Sequence, residues 1–224
     1  MLTTRGRAAT VAAGLFTAAA LTLTACGGDS GGGSGGSGND KIEGAESGGE
    51  SSPSPSTSAT VEKDAPTFDL PSDLKVDVTA KPTQDAAKDA LVRDIGYAVR
   101  ALNEGFAKGD GKTPNMNRYF AMPALSYWGE QIDRLKKDGL TATGTYAYYD
   151  FEVTDLQGKS AAVRYCEDQR EGFDKEIKSG KIHRTEPSKD DFILNTLEAA
   201  QGPKGDWQVR SVSWKKGVEA CVRG

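Results

Sequence analysis

The stretch "TATGTYAYYDFEVTD", residues 141–155, marks the point where the sequence changes from a helical pattern to a strand pattern. Its threonine, tyrosine, phenylalanine and valine residues are typical of a β-strand. The following segments predict further strands: "KSAAVRYCEDQ" (159–169), "DDFILNTLEAAQ" (190–201) and "DWQVRSVSWKK" (206–216). Between them, "FDKEIKSGKIHRTE" predicts a β-hairpin that turns at Ser179-Gly180. The second half of the chain is therefore predicted to be a strand meander.

Helices are predicted before this meander. Over residues 83–109 the apolar side chains recur every three or four positions, which indicates one face of a helix beginning near Thr83. A short helical piece is expected around residues 115–120, and a second long helix over residues 123–138, ended by Gly139. Helices followed by a meander predict an α+β fold, with an antiparallel sheet and the helices on one of its faces.

The first 25 residues have the pattern of a secretory signal peptide. Arg5 and Arg7 precede the uncharged run "AATVAAGLFTAAALTLTA" (8–25), whose length is also borderline for a membrane-spanning helix. The quartet Leu23-Thr24-Ala25-Cys26 resembles the lipobox of bacterial lipoproteins. That resemblance implies cleavage before Cys26 and a lipid on its thiol, which would anchor the protein on the outer face of the cell membrane. The alternative is an ordinary signal peptide followed by an incidental cysteine.

The composition predicts a tether between this anchor and a folded domain. Residues 26–66 contain the glycine/serine run "GGDSGGGSGGSGND" and the segment "SSPSPSTSAT", which carry too little apolar surface to offset the entropy of ordering. Apolar residues return in "TFDLPSDLKVDV" (67–78). We therefore assign residues 67–224 to the domain and interpret residues 67–82 as an extended arm that packs on it.

Two cysteines remain for the domain, Cys166 and Cys221. An even pair in an exported protein predicts a disulfide. A structural zinc site is not predicted, because the chain has a single histidine and no CxxC motif. Residues 83–224 carry 22 basic and 22 acidic residues, so no electrostatic field favours nucleic acid. No cofactor is predicted.

The order of elements resembles the NTF2-like (cystatin-like) superfamily. The resemblance covers residues 67–224. More specifically, these residues resemble actinobacterial-type surface lipoproteins that contain such a domain. It is carried by the following segments: "FDLPSDLKV", "DAAKDALVRD", "RYF", "AAVRYCEDQ", "GDWQVRSVSWKKG" and "EAC". It implies a strongly curved sheet with the N-terminal helices packed on its concave face, forming a cone. In such lipoproteins the paired cysteines lie on a sheet strand and at the C-terminal end, and Cys166 and Cys221 match these two positions.

Enzymes of that superfamily hold an aspartate, histidine or tyrosine inside the cone, and the resemblance therefore suggests pocket residues. The candidates here are Tyr97, Trp128, Tyr146, Tyr148 and Asp150. Strand alternation puts Tyr146, Tyr148 and Asp150 on one face. The competing interpretation is that the aromatic residues fill a core and that Asp150 faces water. His183 is expected to make an exposed cross-strand contact with Glu176.

No catalytic set is assigned, because the sequence has no GxSxG, Walker, GxGxxG or HExxH motif in a suitable context. The favoured function is a binding or accessory module of the cell envelope, for an unidentified envelope protein or small ligand. One alternative is an isomerase- or dehydratase-type enzyme that uses Asp150 with Tyr97 or Tyr148. Another is a purely structural accessory module.

Overall fold

The computed structural model describes residues 64–223. The predicted signal peptide, Cys26 and nearly all of the tether lie outside these described residues. The elements follow in chain order: β1 (Leu74–Val78), α1 (Ala86–Lys108), α2 (Pro114–Tyr119), α3 (Ala124–Lys137), β2 (Leu140–Gln157), β3 (Ser160–Glu176), β4 (Ile182–His183), β5 (Phe192–Gln201) and β6 (Trp207–Lys216). None of the helices in this part of the chain is long and apolar enough to cross a membrane.

The predicted α+β class is confirmed, with one correction to the sheet. Six strands form a curved, unclosed sheet in the order β1-β2-β3-β5-β6, with β4 paired to β3. The pairs β2–β3, β3–β5 and β5–β6 are antiparallel, as expected. However, β1 lies within the expected arm and pairs in parallel with β2, from Leu74 opposite Gly144 to Val78 opposite Tyr148. The sheet is therefore mixed. The segment before the helices forms an edge strand that runs in the same direction as β2.

The long β2–β3 ladder bends at irregularities in its register. Pairing shifts occur between Thr145 and Ala147, between Tyr149 and Glu152, and between Val153 and Asp155. Extra residues on one strand bend it and increase its twist. Close to the first shift, Gly144 has a φ of 91°, and a Cβ there would lie 2.0 Å from the Glu171 carbonyl oxygen. Glycine is thus required at this close approach of the two strands.

The first helix is held in place at its start and in its middle. The sequence predicts a start near Thr83, and in the structure the N-cap is Asp85, whose side chain accepts from the Ala87 and Lys88 amides. In mid-helix the buried Asp94 carboxylate accepts a 2.9 Å hydrogen bond from the Trp207 amide. This bond ties α1 to the start of β6. Helix α1 can therefore lie across the sheet in a fixed position.

Two clusters of buried side chains occupy opposite sides of the sheet. The larger combines α1, α2 and α3 with inward residues of β2, β3, β5 and β6, such as Val163, Leu197 and Val209. The smaller contains Tyr149, Phe192 and the disulfide between Cys166 and Cys221, whose Cα atoms lie 5.4 Å apart. The predicted disulfide is therefore present, and it joins β3 to the C-terminal end.

Candidate functional site

A cavity of about 420 Å³ lies between α1, α3 and the sheet. Its volume falls within the range of roughly 300–1,000 Å³ that is typical of small-molecule sites. Apolar walls come from the following residues: Leu102 and Phe106 of α1, Trp128 and Leu135 of α3, Ala142, Tyr146 and Tyr148 of β2, Tyr165 of β3 and Ile193 of β5. The helices supply one side and the sheet the other, so the cavity is a space that these two layers leave unfilled.

The carboxyl group of Glu167 is the central polar feature of this cavity. Glu167 is buried on β3, two positions after Tyr165 and therefore on the same face of the strand. Its Oε1 accepts from Gln169 Nε2 at 2.6 Å and from the Tyr148 hydroxyl at 3.2 Å. Its Oε2 accepts from Asn195 Nδ2 at 3.0 Å. Three neutral donors therefore converge on one carboxyl group.

Burial raises the pKa of the Glu167 carboxyl, and the hydrogen bonds from Gln169, Asn195 and Tyr148 oppose that rise. Burial acts this way because it disfavours the charged form, whereas donors favour it. The net direction is upward. A carboxyl of this kind in a cavity is suited to bind a ligand's polar group or to exchange a proton with it.

Tyr148 connects this carboxyl group to the first helix. Its hydroxyl accepts from Asn103 Nδ2 at 2.8 Å, and the same nitrogen donates to the Val99 carbonyl at 2.8 Å. Burial raises the pKa of Tyr148 well above its ordinary value, and the nearby charge of Glu167 adds to the rise. Tyr148 therefore remains a hydroxyl donor toward Glu167. Hydrogen bonds thus run from Asn103 of α1 through Tyr148 and Glu167 to Asn195 of β5. We call this hydrogen-bonded side of the cavity its floor.

The rim of the cavity combines aromatic rings with polar groups and joins α3 to β6. Trp214 Nε1 donates to the Tyr127 hydroxyl at 3.3 Å, and the Tyr127 ring packs edge-on against Trp128 at 5.0 Å between centroids. Charged residues also line the cavity: Arg134, Asp138, Asp174, Glu167 and Lys216. Tyr127 and Trp214 are exposed at 37% and 50%, so the mouth offers aromatic surface to solvent.

A second, smaller concavity lies near the β1 edge of the sheet. It measures about 350 Å³ and is lined by residues that include Asp73, Thr143, Phe173 and Arg184. Its Asp73 carboxylate is already paired, because the Thr143 hydroxyl and Lys175 Nζ both donate to Asp73 Oδ2. It is thus a less suitable ligand site than the cavity around Glu167.

The structure brings together three of the five pocket residues named from the sequence. Trp128, Tyr146 and Tyr148 line the cavity. Tyr97 is not among the lining residues and packs instead between Phe68 and Tyr119, with ring centroids 6.2 Å and 5.7 Å away. Whether the three lining residues contact a ligand remains a prediction.

Asp150 does not share the face of Tyr146 and Tyr148, contrary to the expectation from alternation. It falls at the register shift between Tyr149 and Glu152, with a φ of 49°. The irregularity resets the alternation, so Phe151 takes the inward position and stacks on Tyr165 at 5.1 Å. The Asp150 side chain is 57% exposed and lies 3.8 Å from Lys81 Nζ. The Asp/Tyr pair that the enzyme alternative requires is therefore not assembled, and Asp150 faces water as the competing interpretation has it.

His183 and Glu176 make the exposed contact expected of them, at 3.0 Å. The hairpin turn is longer than the predicted turn at Ser179-Gly180, because the last pair before it joins Lys175 to Ile182. Within residues 64–223, no group of three or more histidine, cysteine, aspartate or glutamate side chains is placed to hold a metal ion.

The residues that the sequence interpretation missed are Glu167, Gln169, Asn195 and Asn103. A signal for three of them was present in the alternation. In β3, Glu167 and Gln169 continue the phase of Val163 and Tyr165, and in β5 Asn195 lies between Ile193 and Leu197. Polar residues in an otherwise apolar phase indicate buried hydrogen-bonding groups.

Comparison with known proteins gives similarities of fold only. No protein-family model and no curated protein matches this chain. Among solved structures, the intermembrane space region of the chloroplast protein ARC6 is 13% identical, covers 60% of this chain and 99% of its own, and has a TM-score of 0.40. A ketosteroid isomerase-like protein from Erwinia carotovora atroseptica SCRI1043 is 16% identical, with coverages of 57% and 96% and a TM-score of 0.38.

An NTF2-like superfamily protein from Salmonella enterica serovar Typhimurium LT2 is 11% identical, with coverages of 60% and 95% and a TM-score of 0.39. These TM-scores and identities say nothing about what this chain binds or whether it is an enzyme. The observations that bear on function are therefore those of the cavity itself.

Proposed function

We propose that this chain is a lipid-anchored envelope protein whose domain, of the NTF2-like kind, binds a small molecule in the cavity around Glu167. The observation that carries the binding role is a cavity of about 420 Å³ that joins aromatic walls to one buried carboxyl group. An apolar pocket with a few convergent polar groups is the usual form of a ligand site. The walls would take up the body of the ligand, and Glu167 would orient its polar end.

The three tryptophans of the chain provide a direct test of binding. Trp128 and Trp214 line the cavity, whereas Trp207 is buried in the core and does not. We expect 2-phenylethanol, a neutral aromatic alcohol, to shift the indole Nε1–H NMR signals of Trp128 and Trp214 in a saturable manner. The Trp207 signal serves as the internal reference and should not move.

A cavity-filling variant provides the matched control. Ala142 is 6% exposed and lines the cavity from β2, so Ala142→Phe would occupy the space with a ring. The variant should abolish the Trp128 shift while the Trp207 signal stays at its folded position. If 2-phenylethanol produces no saturable shift, or an equal shift in Ala142→Phe, the proposed binding role is contradicted.

The lipid anchor rests on the sequence quartet that ends in Cys26. The disulfide of the domain supports an extracytoplasmic location, because such bonds persist in oxidising compartments. Cys26→Ala should move the protein from the membrane fraction to the soluble fraction, whereas Ser30→Ala should leave it membrane-bound. Retention of Cys26→Ala in the membrane fraction would contradict the anchor. We also propose an unidentified envelope protein as a further partner of the domain.

A second candidate function is proton transfer, favoured by the contact between Tyr148 and Glu167. A carboxyl with a raised pKa beside a tyrosine hydroxyl at 3.2 Å can remove a proton next to a carbonyl group. The probe is cyclohexanone in D2O, with deuterium entry at the carbon next to the carbonyl followed by NMR. Exchange that is no faster with the wild type than with Glu167→Gln would exclude this activity and leave a binding or structural module.

A further inference from the structure

The charge of Glu167 has no cationic partner among residues 64–223. No lysine, arginine or histidine nitrogen in this part of the chain lies within 4.0 Å of its carboxylate. The three groups that donate to it are an amide of Gln169, an amide of Asn195 and the Tyr148 hydroxyl, all of them neutral. Buried carboxylates are ordinarily paired with a cation. Since Glu167 has no such partner among the described residues, a cationic ligand can supply one.

The cavity walls next to Glu167 are rich in aromatic rings. Seven of the lining residues are aromatic, and three of them are tyrosines near the carboxylate. The Tyr148 hydroxyl contacts Glu167 directly, and the pKa values of Tyr146 and Tyr165 are raised chiefly by burial and further by the Glu167 charge. Aromatic faces attract cations, and rings around an ammonium group are a common way of binding it.

The other charged groups of the cavity cancel one another. Arg134 of α3, Asp138 at the C-terminal cap of α3, Asp174 of β3 and Lys216 of β6 line the cavity, which gives two positive and two negative side chains. Helix α1 and strand β5 contribute the neutral amides Asn103 and Asn195. The exposed Lys216 slightly lowers the pKa of Glu167 but stays beyond ion-pair distance. Ionised Glu167 therefore leaves the cavity with a net formal charge of −1.

We propose that the cavity binds an organic cation, an ammonium or substituted ammonium group on an apolar body, with the Glu167 carboxylate as its counter-ion. This inference rests on the cavity being a ligand site. The aromatic walls enclose the body and the methyl or methylene groups next to the nitrogen, while Glu167 and the tyrosine rings face the positive charge. Gln169 and Asn195 hold the carboxylate in position, since each donates to a different oxygen.

Binding of a cation is linked to the ionisation of Glu167. A cation favours the charged carboxylate, and therefore its affinity rises as the pH rises through the Glu167 pKa. A neutral ligand that accepts a hydrogen bond from the protonated carboxyl would show the opposite trend. The direction of the pH dependence thus separates the two kinds of ligand without knowledge of the natural one.

The test uses a matched pair of probes, choline and its neutral carbon analogue 3,3-dimethylbutan-1-ol, titrated into the full chain and followed at the Trp128 indole signal. We expect choline to bind about tenfold or more tightly than the alcohol at pH 8. That preference should fall toward unity at pH 4 and in Glu167→Gln. Glu152→Gln is the matched control, because Glu152 is an exposed glutamate paired with Arg164 and lies outside the cavity.

Each outcome has a defined meaning. Loss of the choline preference in Glu167→Gln, with the preference kept in Glu152→Gln, supports the proposal. Equal binding of the two probes, or a preference that survives Glu167→Gln, overturns it and leaves the binding role intact. Absence of binding by both probes, while 2-phenylethanol still shifts the Trp128 signal, also overturns it. If 2-phenylethanol fails as well, the proposed binding function falls together with this inference.

Discussion

Replacing Tyr148 with phenylalanine removes one buried hydroxyl group from the floor of the cavity and no other heavy atom. That hydroxyl donates to Glu167 Oε1 at 3.2 Å and accepts from Asn103 Nδ2 at 2.8 Å. The Asn103 amide keeps its bond to the Val99 carbonyl, so it loses one of two partners. The carboxylate keeps its two amide donors and loses its only hydroxyl donor among residues 64–223.

The size of the effect follows from these two bonds. A hydrogen bond to a charged group contributes about 1.5–3 kcal/mol, and the weaker bond from Asn103 about 1 kcal/mol. We expect Tyr148→Phe to lower the free energy of unfolding by about 2–4 kcal/mol at pH 8, with the lower end favoured if water enters the cavity. The hydrogen bond from Tyr148 lowers the pKa of Glu167, so the loss should shrink at pH 4, where the carboxyl is protonated.

Urea unfolding followed by tryptophan fluorescence measures this difference, and Tyr165→Phe is the matched control. Tyr165 is also buried and lines the same cavity, but its hydroxyl has no hydrogen-bond partner among residues 64–223. Removing that hydroxyl should leave the stability nearly unchanged. Equal losses in the two variants, or a loss in Tyr148→Phe that does not depend on pH, would refute the assigned network.

Three further predictions concern the disulfide, the pH profile and Asp150. Cys166→Ser together with Cys221→Ser should cost about 4 kcal/mol of unfolding free energy, since the bond closes a separation of 55 residues, and thiol labelling of the unreduced native chain should find neither cysteine. Burial raises the pKa of Glu167 in the folded state, so folding favours the protonated carboxyl. The stabilisation from that protonated form is complete below the ordinary pKa of 4.5 and is lost as the pH rises through the folded-state pKa. The stability of Glu167→Gln relative to the wild type should therefore increase from pH 4 to pH 8 in urea titrations, and a flat difference would contradict the raised pKa. Asp150→Asn should change neither ligand affinity nor unfolding free energy by more than about 0.5 kcal/mol, because the side chain is exposed and asparagine tolerates a positive φ; a loss of binding would return Asp150 to the site.

The periodicity of the sequence predicted the helices and strands well, because each buries one face. The stripe from Leu91 to Phe106 and the alternation around Val163 both arise from contact with the same core. Periodicity gave no information on where β1 would pair. A five-residue strand in parallel with β2 leaves no local signal, since its partners are 70 residues away, as for Leu74 and Gly144.

The floor of the cavity was missed for two physical reasons. Alternation fails at an irregularity, and the shift between Tyr149 and Glu152 turned Asp150 outward and Phe151 inward. Acidic side chains are also mostly exposed in proteins, so Glu167 within the predicted strand "KSAAVRYCEDQ" was not named as a pocket residue. Its burial becomes evident only when β5 brings Asn195 to within 3.0 Å of it.

A crystal structure of the chain grown with 2-phenylethanol would show directly whether the cavity around Glu167 binds a small molecule. We expect difference density for the ring between Trp128 and the sheet, with the hydroxyl of the probe directed toward Glu167. Density that appears instead in the concavity beside Asp73 and Arg184, or a cavity around Glu167 that contains only water, would contradict it.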